Sequence, residues 1–111
     1  MPDNSGTFAS MPDSHGIAAS DLPVGAVVEV ITKNRKYVLE NRGLGRFLIS
    51  GHPDYCPQPV LVELFGSAMP GGAVRLNYIG RGMCLEFRHP MRGVIHTSRI
   101  EDIRTVSPMP A

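Results

Sequence analysis

Four side chains in this sequence are of the types that hold a transition metal. His52 and Cys56 are spaced H-x3-C, and Cys84 and His89 are spaced C-x4-H. Brought together, they would form a tetrahedral Cys2His2 shell suited to zinc. Neither half has the tight C-x2-C knuckle usual in structural zinc sites. Pro53 and Pro57 stiffen the first half, which would either fix or prevent convergence. Zinc through His52, Cys56, Cys84 and His89 is therefore the alternative, and the expectation is a domain without a cofactor. In that plainer reading His52 and His89 are surface turn residues, and Cys84 is a small, partly buried side chain.

The same stretch, "SGHPDYCPQPV", also holds a triad in miniature, with Asp54 between His52 and Cys56. Catalytic triads are assembled from separate parts of a fold and need an oxyanion pocket and a cleft. Three members within five residues do not meet that requirement, so no catalytic residue is expected and the chain is read as non-enzymatic. A third reading accounts for the prolines: Pro53, Pro57 and Pro59 hold their neighbours extended. Pro59 then opens a strand where a missing N–H does least harm. The stretch is expected to be a stiff corner between two strands.

Arginine gives the other candidate chemistry. Arg81, Arg88, Arg92 and Arg99, joined by Arg42 and Arg46 if hairpin tips converge, could face an anionic partner, with Tyr55, Tyr37 or Tyr78 available to stack on bases. Glu86, Glu101 and Asp102 are interspersed among them, and Arg beside Glu on a strand face reads first as a solvated cross-strand pair. Nucleic acid is thus the runner-up partner. The binding residues expected are Arg81, Arg88, Arg92, Arg99 and Tyr55.

The elements that must position these residues are short. Apolar runs between Gly, Pro and Asn breakers predict strands over 26–32, 36–40, 46–50, 60–65, 73–79, 82–88 and 93–97. In "KYVLE" Tyr37 and Leu39 share one face; in "MCLEFR" Met83, Leu85 and Phe87 oppose Cys84, Glu86 and Arg88; in "AVRLNY" Val74, Leu76 and Tyr78 oppose Ala73, Arg75 and Asn77. Such alternation marks antiparallel strands with one wet face. "HTSRIEDI" has Ser98 three residues before Glu101, a capping-box spacing that predicts a helical turn over 99–103 with Ile100 and Ile103 as an apolar plug, followed by an edge strand. "NRGLGR" and "GSAMPGG" lack the strand–helix context of phosphate loops and read as hairpin turns.

These elements predict an all-β fold: a small bent antiparallel barrel or roll of six or seven short strands, SH3-like in the broad sense. Its 111 residues allow one domain, expected over 23–106. Residues 1–22 nearly repeat with a period of ten, "MPDNSGTFAS" then "MPDSHGIAAS"; their small and polar composition predicts a disordered, flexible leader. Residues 107–111 are expected to be a frayed tail.

The formal net charge of +1 excludes a whole-chain electrostatic footprint for nucleic acid, although residues 23–111 hold eleven bases against seven acids, a net of +4. No apolar run is long enough to span a bilayer, and a basic, apolar export signal is lacking. Two cysteines in such a chain point to free thiols in the cytoplasm. The function expected is a non-enzymatic interaction or regulatory module that binds another macromolecule, a protein first, and no membrane. Its contact regions would be the 50–59 loop and the Arg81–Arg99 surface.

Overall fold

A computed structural model describes residues 15–106 and is built almost entirely of strands, with no α-helix among the described residues. In chain order these are β1 (Gly16–Ala18), β2 (Val27–Thr32), β3 (Lys36–Gly43), β4 (Arg46–Ser50), β5 (Val60–Ala68), β6 (Val74–Leu76), β7 (Tyr78–Gly80), β8 (Cys84–His89) and β9 (Gly93–Val106). One 3-10 turn, Ala19–Asp21, follows β1.

Six strands form a ring. β2 pairs with β3, β3 with β4, β4 with β5, β5 with β8, β8 with β9, and β9 returns to β2, every pair antiparallel. Alternate residues point inward, so the ladder partners Val30↔Tyr37, Leu39↔Ile49, Phe47↔Val62, Leu64↔Phe87, Phe87↔Ile95 and Ile103↔Val30 line one continuous core. Each fully buried side chain of this size contributes roughly 1.5–3 kcal/mol, and the ring buries them from every direction.

The ring is not a regular barrel, and β5 is the reason. Its Val60–Glu63 half pairs with β4, while its Gly66–Ala68 end pairs with β6. A register shift between Leu64 and Gly66 bends it there. Gly66 sits at φ 147, where a Cβ would collide with the backbone oxygen of Arg75. The bend therefore requires glycine.

Three expectations are corrected. The segment over 99–103 is not a helical turn, and no edge strand follows it: β9 runs unbroken for 14 residues between β2 and β8. Register shifts at Ile31/Thr32 and Cys84/Glu86 place an extra residue on β9 at each point. Ile95, Ile100 and Ile103 thereby all face inward despite spacings that are not even. Ser98 caps nothing in the turn that had been expected; at that bulge the Leu85 N–H donates to Thr97 Oγ1, and the Thr97 hydroxyl donates to the Ser98 carbonyl.

The strand expected over 73–79 is broken at Asn77, whose φ of 58 separates β6 from β7. Val74, Leu76 and Tyr78 consequently do not share a buried face: Tyr78 is buried and Leu76 is 71% exposed.

Residues 15–22, expected within the leader, belong to the fold instead. β1 pairs with β7, and Ile17, Ala19 and Leu22 pack on the core. Residues 1–14 and 107–111, which include the rest of the expected leader and the expected frayed tail, lie outside the described residues.

Candidate interaction surface

The 50–59 corner closes on itself before it reaches β5. Gly51 N–H donates to the Cys56 carbonyl (2.9 Å) and Cys56 N–H donates to the His52 carbonyl (3.0 Å), a one-bridge hairpin around Pro53–Tyr55. Inside it His52 Nδ1 accepts from Asp54 N–H (3.0 Å) and Tyr55 N–H (3.4 Å). The His52 ring stacks on Tyr55, with centroids 4.2 Å apart. Cys56 points into the core with no exposed surface. Burial pushes its thiol up, against the lowering effect of a hydrogen bond from the His52 backbone. A thiol that is fully buried and held neutral lacks the exposed thiolate that a nucleophile requires.

His89, expected on the surface, is 6% exposed. Its Nδ1 accepts the Met91 N–H (3.0 Å) and the Arg92 N–H (3.2 Å), so the ring proton belongs on Nε2, which donates to the Tyr55 carbonyl (2.8 Å). The imidazole thus caps the β8–β9 turn and ties it to the corner. With both nitrogens engaged, His89 has none left for a metal. Among the described residues no three of His, Cys, Asp or Glu are grouped to hold an ion. The structure therefore does not assemble His52, Cys56, Cys84 and His89 as a zinc shell. Cys56 and Cys84 are free, unlinked thiols.

The arginines divide between two places. Arg92 belongs to the corner: its Nη2 donates to the Asp54 carbonyl (3.3 Å) and its guanidinium lies 5.4 Å from the Tyr55 ring centroid. Tyr55 is thereby already partnered by His52 and Arg92. Arg88 projects from the neighbouring outer face, where the register runs Arg46↔Glu63, Glu63↔Arg88 and Arg88↔Val94. It pairs with Glu63 (3.7 Å) and lies 5.5 Å from the Phe65 ring centroid. Arg99 stands at the other end of the β8–β9 ladder, opposite Cys84, with the His96–Glu86 pair (3.2 Å) between the two ends. Arg81 is held near β9 by Asp102 Oδ1 and the Ile103 carbonyl, each 3.3 Å away. A single Arg81–Arg99 surface is therefore not formed.

Sequence reasoning passed over the β4–β5 part of this face. A shallow groove of about 220 Å³ is lined by Arg46, Leu61, Val62, Glu63, Arg88 and Pro90. Leu61 is 44% exposed, and Val94, opposite Arg88, is 48% exposed. The signal was Glu63 inside "VLVELF": a lone acid in an apolar run marks the outward parity, and with it Leu61.

Comparison with known proteins finds no matching family model, no matching curated protein and no matching solved structure. Among the described residues no helix is long and apolar enough to cross a membrane.

Proposed function

We propose that the protein is a non-enzymatic, cytoplasmic interaction module whose outer β4–β5–β8 face binds an extended protein segment carrying both carboxylates and apolar side chains. The observation that carries this reading is the Arg46–Glu63–Arg88 row beside Leu61. Two arginines flank one carboxylate along a groove with an apolar wall, so the groove favours a partner that is acidic and apolar together. The His52–Tyr55–Arg92 corner stiffens the approach to β5. The buried Cys56 thiol supports a scaffolding role for the corner, and the free thiols suit a reducing compartment.

Ion pairing weighs against the nucleic-acid alternative. Outside the groove, Arg42 is paired with Glu40, and Arg81 and Arg104 with Asp102, so these bases are already matched to carboxylates.

A fluorescent peptide of alternating Glu and Leu tests the proposal directly. It is expected to bind saturably, with affinity reduced about tenfold in the Arg46→Ala/Arg88→Ala variant, a difference of about 1.4 kcal/mol. Equal binding by the variant would contradict it. Tight binding of a mixed-sequence single strand with a steep salt slope, and none of the peptide, would favour nucleic acid instead.

A further inference from the structure

The two related decapeptides, identical at six of ten positions, acquire a physical meaning from the β1–β7 pair. The second copy supplies β1, with Gly16↔Gly80, Ile17↔Ile79 and Ala18↔Tyr78 in register. Arg81 N–H donates to the His15 carbonyl (2.6 Å) at one end, and Ala19 N–H donates to the Asn77 carbonyl (2.7 Å) at the other. Main-chain bonds of this kind can be made by any extended segment. Side-chain demands in the slot fall on two positions. A Cβ on Gly16 would strike the Ile79 backbone oxygen, with the Tyr78 hydroxyl at 2.7 Å and Gly80 Cα at 2.8 Å. Ala19 is buried against the core cluster, where a polar or charged side chain would be unsatisfied.

Both demands are met by the first copy. Gly6 and Ala9 stand where Gly16 and Ala19 do, and Ser10 matches Ser20. Of the two intervening positions, Thr7 replaces Ile17 and Phe8 replaces Ala18, and the structure leaves both Ile17 and Ala18 partly exposed. The copies share the residues at the two most demanding positions, and differ at Ile17, which packs only in part on the core, and at the partly exposed Ala18.

We propose that the edge of β7 is a recognition slot for a Gly-Xaa-Xaa-Ala-Ser strand, and that Gly6–Ser10 of the same chain is its second occupant, exchanging with Gly16–Ser20. When the first copy docks, residues 11–20 loop out between it and Asp21. Closing a loop of that length carries a modest entropy penalty, and Thr7 buries less apolar surface than Ile17, so the second copy is the preferred occupant. The slot is separate from the outer β4–β5–β8 face, and its test does not depend on any partner.

The full-length chain allows a double-substitution cycle read by thermal melting. Gly6→Val is expected to leave the melt unchanged while the second copy holds the slot. Gly16→Val lowers it, and adding Gly6→Val to Gly16→Val lowers it further by several degrees, because the substitute strand is lost as well. No further drop in the double variant would overturn the proposal. Where Gly16→Val prevents folding, deletion of residues 11–20, which joins Ser10 to Asp21, gives a second test. That chain should melt near the full-length protein and lose several degrees on Gly6→Val; indifference to Gly6→Val would overturn the proposal. The exchange is intramolecular, so melts should not change with protein concentration. A concentration dependence would overturn the assignment of the occupant to the same chain.

Discussion

The imidazole of His89 and the backbone carbonyl of Tyr55, 34 residues apart in the chain, meet at 2.8 Å. Through this bond the β8–β9 turn and the proline-rich corner become one unit. Truncation to alanine removes the Nε2 donor and also strands the Met91 and Arg92 N–H groups that converge on Nδ1. Met91 and Arg92 are exposed, so the cost is that of hydrogen bonds lost around a buried ring, about 0.5–1.5 kcal/mol each. His89→Ala is therefore expected to lose about 1–3 kcal/mol in denaturant unfolding. His89→Asn, whose side-chain oxygen can replace Nδ1, should recover part of it. A loss below about 0.5 kcal/mol, the level of an ordinary surface change, would mean that the corner does not depend on His89.

Thiol chemistry reads the placement of the two cysteines. Cys84 is partly exposed on the outer face of β8, while Cys56 is fully buried with its thiol pushed up by desolvation. Because the thiolate is the reactive form, an aromatic disulfide reagent should modify Cys84 in the native protein and reach Cys56 only on unfolding. Fast modification of both thiols under native conditions would contradict the fold at the corner. The raised folded-state value also has a sign: only the unfolded chain ionises at first as pH rises past the ordinary thiol value, so stability should decline on the alkaline side and less so in Cys56→Ala.

Asp102 governs an acid-side dependence. Its carboxyl is held below the usual range chiefly by the Ile103 backbone N–H, then by hydrogen bonds from Arg104 and Arg81. A depressed folded-state value contributes stability that is present above the unfolded carboxylate value and lost as pH falls through the folded one. Asp102→Asn should therefore be less stable at neutral pH and show a shallower acid decline, the two curves drawing together at low pH. Parallel curves would show that the carboxylate is not selectively stabilised in the folded state.

The Arg88–Glu63 pair is exposed on both sides, and exposed pairs contribute little. Arg88→Ala should change unfolding stability by less than about 0.5 kcal/mol. Lost peptide binding by this variant then reports a lost contact rather than a damaged fold; a destabilisation above about 1.5 kcal/mol would show that Arg88 supports the sheet itself.

The sequence revealed strands best where one face is wet. "KYVLE" and "MCLEFR" alternate cleanly, and Tyr37, Leu39, Leu85 and Phe87 are buried as that parity requires. Parity failed where the backbone departs from regular extension. Asn77 adopts a left-handed conformation that composition does not announce. Bulges on β9 space Ile100 and Ile103 three apart, and three is also the spacing of a helical turn. β1 was missed because its three residues, Gly16, Ile17 and Ala18, are too few to show alternation and two of them have little strand propensity; its pairing with β7 comes from tertiary contact. His89 had no local signal, since its partner on Tyr55 lies far away along the chain.

Proton–nitrogen correlation spectra of the histidine rings, recorded before and after excess zinc, test the central claim most directly. The account predicts that His89 carries its proton on Nε2, with Nδ1 as the acceptor, and that zinc moves neither its signals nor the Cβ shifts of Cys56 and Cys84 in a companion proton–carbon spectrum. A Nδ1-protonated ring, or a saturable zinc shift shared by His52, Cys56, Cys84 and His89, would contradict it.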